Sequence, residues 1–345
     1  MALLVHGNPE TRRAVVTAMR IVATAGGTRP FTGTEAALVR AMADVLGPAS
    51  GDEPVDLSEL VGDAEPFATV AAATDAVRAW LPDRADRREA IHAALLVPLA
   101  ADNPDPGALH AARDLARRLG ADDRTVRDLE HTATRRAHAA EADLFRRFLV
   151  WKTGEHHHTV RRRLARHEPV VATPAEAVAD VRRRIDAAAP DTVGHALGQF
   201  YADTGFDIPG TPGVLPLAVL GSHDVHHVLT AYDAGAEDEV YLAVFTATNS
   251  RVGGTDYMAV ILLQWHQGIK LGVFEPDRAR LDPDLIAVAA RRGSDTPFDL
   301  SRTDWDWEAL LDVPLEEARV RLGVPPGGSV LPGGHWDATH HRPYR

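Results

Sequence analysis

The sequence predicts an all-α protein: an amino-terminal helical bundle, read as a duplicated helical hairpin, followed by a second all-helical domain. Three observations predict it. Apolar residues recur at helical spacing along most of the chain, no run sustains period-two alternation, and Gly- or Pro-containing breaks separate the periodic segments. The length of 345 residues is enough for roughly two domains with cores of their own.

Taken in order, residues 12–25 form an amphipathic helix with Val15, Met19 and Val22 on one side, stopped by Gly26-Gly27. Thr34-Glu35 opens a second helix that ends at Leu46-Gly47. Residues 87–120 repeat the scheme: a helix from Arg87-Arg88 to Ala101, a polar break from Asp102 to Gly107, and a second helix ending at Leu119-Gly120. Residues 141–188 connect the two halves, with Phe145, Phe148, Leu149 and Trp151 as a buried stripe, a basic run over 161–166, and a helix that Pro174 starts and that runs through Ile185. Further helices are expected over 191–201, 217–233, 237–250, 255–271, 284–292, 304–311 and 315–322. The domains are drawn at 1–145, 146–188 and 189–326, with an extended tail over 327–345.

Composition narrows the function. Hydrophobic residues at 45% and charged residues at 25% match ordinary globular proteins. With no cysteine, disulfides, thiolate metal sites and cysteine nucleophiles are all excluded, so any metal must be held by imidazole and carboxylate. A net charge of −12 argues against a general nucleic-acid binder. The apolar stretch from Tyr257 through Trp265 is about half the ~20 residues of a membrane span, and the opening residues lack the pattern of a secretory signal. A cytoplasmic location is therefore expected, with peripheral contact at the inner face of a membrane as its extension.

Two histidine groups attract a metal reading and lose it. Adjacent side chains of Glu155-His156-His157-His158 point about 100° apart on a helix and cannot all converge on one ion. His335, His340 and His341 fall in the expected extended tail.

The segment Gly221-Ser222-His223-Asp224-Val225-His226-His227-Val228-Leu229-Thr230 is different. On a helix with His223 at zero, His227 lies at about 40° and Asp224 at about 100°, so two imidazoles and a carboxylate share a face; His226 falls at about −60°. One helix can thus offer three ligands to a divalent cation. A further ligand would come from the next helix, where Glu239 and Glu237 compete and spacing favours Glu239 slightly. Acidic residues there also complement the helix dipole, and a polar patch satisfied by water is the plain alternative to a metal. Downstream, Met258–Leu263, with Val244, Phe245, Trp265 and Leu271, would either line a lipid-sized cavity or form core, and His266 would either support the ligands or sit satisfied in that core. A His-Asp phosphohydrolase would need His195 and Asp256 as further ligands, and no supporting pattern surrounds them.

The order His-Asp-x-x-His, eleven residues, Glu appears as His223-Asp224-Val225-His226-His227 and then Glu239. It resembles the signature of the coenzyme Q (ubiquinone) biosynthesis family called Coq four. Residues 192–206, with Gly194, Leu197, Phe200 and Tyr201, resemble that family's preceding helix. Arg291-Arg292-Gly293, Trp307-Glu308-Ala309-Leu310-Leu311 and the run from Pro314 to Arg319 resemble its closing segment, so the likeness covers residues 188–326. It implies an all-helical domain holding a divalent metal, zinc first and manganese or iron(II) next, through His223, Asp224, His227 and Glu239. It further implies a cavity for an isoprenoid or prenylated ring, and decarboxylation with hydroxylation of a ring carbon, or else a scaffold with a structural metal. The partners it implies are other quinone-biosynthesis proteins, a membrane surface and a second copy of the chain. Residues 10–140 more distantly resemble the TerB-like domains of tellurite-resistance proteins, although Gly26-Gly27-Thr28-Arg29 lacks the acidic metal-binding turn and Asp102 and Asp105 lie on a proline-interrupted loop.

Overall fold

The computed structural model describes residues 8–46, 55–102, 104–122, 124–135, 138–166, 168, 170–250, 254–271, 276–302 and 304–329. Among them every regular element is helical, and the extended pairing present is an isolated antiparallel bridge between Thr192 and Pro314. No helix among the described residues is long and apolar enough to cross a membrane.

The chain forms two compact units, residues 1–145 with 243–294 and residues 146–242 with 295–345, and the division runs through the helix Ala236–Asn249. This differs from domains drawn in sequence order. The reason is visible in Gly254–Trp265, whose residues from Gly254 to Gln264 are buried on nearly every side, so it needs neighbours all round. It finds them in the first unit, against Leu96–Leu99 and Arg124–Arg135. Polar bonds fasten it there: Thr125 donates to Asp256 at 3.0 Å, Thr255 pairs with His92 at 3.2 Å, and Gln267 donates to the Leu99 and Ala101 carbonyls at 2.9 and 2.6 Å.

The first unit is built around Pro9–Ala23. Asn8 caps this helix by accepting from Thr11 N at 2.8 Å, with Pro9 at the first helical position. Helices Gly33–Leu46, Val70–Trp80, Arg84–Ala94 and Pro106–Arg118 pack around it. The helix expected to run to Ala101 is interrupted at Leu95 and continues as Leu96–Leu99, since Pro98 has no N–H to continue the ladder. Asp105 is occupied in capping Pro106–Arg118 and pairing with Arg29 at 3.0 Å.

In the second unit Val193–Thr204 lies between Ala175–Asp186 and Leu217–Thr230, and Leu315–Leu322 packs on both Val193–Thr204 and Leu217–Thr230. Backbone bonds from Val193 and Gly194 to the Val313 and Leu311 carbonyls, each 2.9 Å, hold the 311–315 segment against the start of Val193–Thr204. The helix expected over 304–311 is only a 3-10 turn, Glu308–Leu310. His156, His157 and His158 are exposed at the start of His157–Ala165. The tail histidines lie outside the described residues.

Candidate metal centre

The helix Leu217–Thr230, which carries His223 and His227, follows Pro216 at its cap, and its first N–H is met from outside by the Thr173 hydroxyl at 3.0 Å. At its other end Arg319 donates to the Val228 and Leu229 carbonyls at 3.0 and 2.9 Å, satisfying acceptors that a helix terminus leaves open. Gly221 allows close packing on Trp307, because a Cβ there would lie 2.6 Å from the indole. Ala231 then turns the chain at φ +58°, and Ala236–Asn249 starts with Glu237, Asp238 and Glu239 in its first turn.

This turn brings Glu239 to the histidines. The Nε2 atoms of His223 and His227 lie 3.1 Å apart, and the Glu239 oxygens lie 3.4 Å from His223 and 3.5 Å from His227. The three side chains offer ligand atoms all within 4.8 Å of one another and could hold a metal ion. Glu237 is exposed, which decides between the two glutamates. Asp224 is adjacent but not a member of the three-residue group; its Oδ2 accepts the Tyr201 hydroxyl at 2.8 Å. His226 faces away, with Nε2 bonded to the Leu300 carbonyl at 3.0 Å and its ring stacked on Trp305.

The donor set suits a cation. His227 Nδ1 lies 3.1 Å from the Tyr232 carbonyl; a carbonyl only accepts, so Nδ1 carries the proton and Nε2 presents its lone pair to the centre. The Phe200 ring stacks on His227 at 5.3 Å and fixes its plane. Two imidazole nitrogens and a carboxylate in so small a buried space could hold one metal ion, and such ligands are borderline and hard donors.

The electrostatics follow from burial and mutual charge. Burial pushes the Glu239 carboxyl up, but the two histidines overcome it and hold it well below the usual carboxylate range. Burial lowers His223 despite Glu239, whereas His227, beside Glu239 and Asp224, ends above its ordinary value. Asp224 is raised to about 7 by burial, against the opposing effects of His227 and Tyr201. Tyr201 is raised well above its normal value by burial and the neighbouring Asp224. Lys152, from His138–Thr153, is lowered to about 8 by burial, with Asp224 opposing.

Lys152, which donates to Ser222 at 3.2 Å beside the motif, is the buried neighbour that pattern reading missed, for it lies outside the motif. Its signal is compositional: Lys152 and Lys270 are the two lysines of an otherwise arginine-dominated basic set. The apolar residues Met258–Leu263, with Val244, Phe245 and Leu271, belong to the first unit and are buried in it. His266 belongs to that unit too, its Nδ1 bonded to the Ala279 carbonyl at 2.6 Å. Asp256, nominated for phosphohydrolase chemistry, accepts the Thr125 hydroxyl in the first unit, while His195 lies in the second.

No family model, curated protein or solved structure matches the chain.

Proposed function

We propose that the chain is a divalent-metal protein, with zinc as its ion, that acts on or presents a prenylated aromatic quinone precursor or a related isoprenoid. The observation that carries this reading is the convergence of His223, His227 and Glu239 in a buried group. The Coq-four-like order of these residues supports the substrate class. An ion held there supplies a Lewis acid able to stabilise negative charge developing on a substrate oxygen. A set of three protein ligands is the kind that keeps a position for water or substrate, whereas four protein ligands mark structural zinc. That favours catalysis over the scaffold reading.

The chain's own groups have distinct parts. Tyr232 holds His227 in one tautomer through its carbonyl. The Tyr201 hydroxyl donates to Asp224 Oδ2 and orients that carboxylate, an outer-layer bond of the sort that tunes metal ligands. Phe200 covers one face of His227 and excludes water from it. On the same reading the protein works at the inner face of a membrane with other quinone-biosynthesis proteins.

Incubation of the zinc-loaded protein with a prenylated hydroxybenzoate, followed by mass spectrometry, tests the proposal. Metal-dependent loss of the ring carboxyl supports catalysis. Binding without product transfers the support to the scaffold, and neither binding nor product refutes both.

A further inference from the structure

The segment that follows Leu315–Leu322 binds the turn that brings Glu239 to the histidines. Helix Leu315–Leu322 ends at Gly323, φ +70°, and the chain beyond it reaches the turn between Leu217–Thr230 and Ala236–Asn249. There Ser329 grips the turn from both sides. Its backbone N–H donates to the Ala231 carbonyl at 2.9 Å, and its hydroxyl donates to Asp238 Oδ2. The Asp233 N–H donates to the same Asp238 oxygen at 3.0 Å and to Ser329 Oγ at 3.2 Å. One serine therefore ties the residue after the first helix to the first turn of the second.

The approach is closer than a side chain would allow. A Cβ at Gly328 would press into the Ala231 carbonyl and stand 2.6 Å from the Thr230 carbonyl, and φ there is +113°, which glycine adopts without steric cost. Arg319, from the preceding helix, donates to the Val228 and Leu229 carbonyls. Residues 319–329 thus meet acceptors that the end of Leu217–Thr230 leaves open.

Asp238 is 9% exposed, and a buried carboxylate deprived of a donor is costly. Glu239 follows it in the same helical turn. Whatever fixes Asp238 also fixes the backbone from which Glu239 reaches His223 and His227, at 3.4 and 3.5 Å.

We infer that Ser329 is a positioning residue for the metal centre: latched to Ala231 and Asp238, it holds the turn in the conformation that sets Glu239 against His223 and His227. This rests on the metal reading above and adds a form of regulation to it, the docking of residues 324–329. Coupling is reciprocal, so an ion at the centre strengthens the latch by the factor with which the latch strengthens ion binding.

The test compares full-length wild type with Ser329→Ala and Ser329→Thr. It reads zinc affinity by competition with a chelating dye, the visible spectrum of cobalt(II)-loaded protein, and amide hydrogen exchange. Ser329→Ala keeps the backbone bond and loses the hydroxyl. Its zinc affinity is expected to fall about 3–10-fold, the size of one hydrogen bond's net contribution, with an altered cobalt spectrum and faster exchange over residues 231–239. Ser329→Thr should restore both affinity and spectrum. In wild type, zinc should slow exchange of the Ser329 N–H, and this linkage decides the matter if Ser329→Ala does not fold. Unchanged zinc affinity and cobalt spectrum in Ser329→Ala overturn the inference even if exchange quickens, because the bond would then serve the turn alone. A Ser329→Thr that binds zinc no better than Ser329→Ala also overturns it, as does zinc binding that leaves exchange at Ser329 untouched. A wild type that takes up neither zinc nor cobalt refutes the metal reading instead, and exchange over 231–239 in metal-free wild type and Ser329→Ala then judges the latch by itself.

Discussion

His227 and Glu239 sit on successive helices, yet Nε2 of the first lies 3.5 Å from Oε1 of the second. The intervening turn makes this meeting possible, and the Tyr232 carbonyl within it also sets the tautomer of His227. Glu239→Gln keeps the shape of the side chain and removes its charge. Competition with a chelating dye should show zinc affinity reduced by roughly 10–100-fold or more, since charged oxygen ligands contribute strongly to divalent-ion binding.

Ala231 occupies the left-handed region at φ +58°, where an L-residue other than glycine is strained by roughly 1–2 kcal/mol. Ala231→Gly should therefore stabilise the protein by about 1 kcal/mol in chemical denaturation, after allowance for the greater freedom of glycine in the unfolded chain. An unchanged or lower midpoint would show that the turn is held without strain.

Gly221 has the opposite sensitivity. A methyl group there would stand 2.6 Å from Cζ2 of Trp307, so Gly221→Ala must displace the indole or the helix. Overpacking of this kind costs about 1–3 kcal/mol. Because His223 follows two positions later, zinc affinity should fall alongside the melting temperature.

Lys152 gives stability a defined pH dependence in metal-free protein. Its folded value of about 8 lies below the ordinary lysine value of 10.5, so between these values the unfolded chain binds more protons. Stability from this residue is fully present above the unfolded value and is lost as pH falls toward 8, by an amount on the order of 3 kcal/mol. Denaturation at pH 8 and at pH 10 should show wild type gaining stability relative to Lys152→Met. Parallel pH profiles for the two proteins would contradict the assignment.

Much of this was legible in the sequence where the signal is local. The spacing of His223 and His227 puts both on one face of a helix, and the structure has them 3.1 Å apart. Glu239 was separable from Glu237 only weakly, because the choice depends on the path of a turn through Ala231. Periodicity located both Leu217–Thr230 and Gly254–Trp265, but the first ends three residues before its expected end at 233 and the second six before its expected end at 271. It did not reveal that Gly254–Trp265 joins the first unit, since an apolar helix does not encode which neighbours bury it. Lys152 was illegible for the same reason: 70 residues separate it from Ser222. Asp224 shares the expected face, but its bond to Tyr201 depends on a helix packed alongside.

On the proposed function His223, His227 and Glu239 together grip one ion. Elemental analysis with equilibrium dialysis against zinc checks this, comparing wild type with folded His227→Ala and Glu239→Ala. One tightly held zinc per wild-type chain and none in either variant is the expected result. A wild-type chain that stays metal-free, or variants that hold zinc as firmly as wild type, would contradict it.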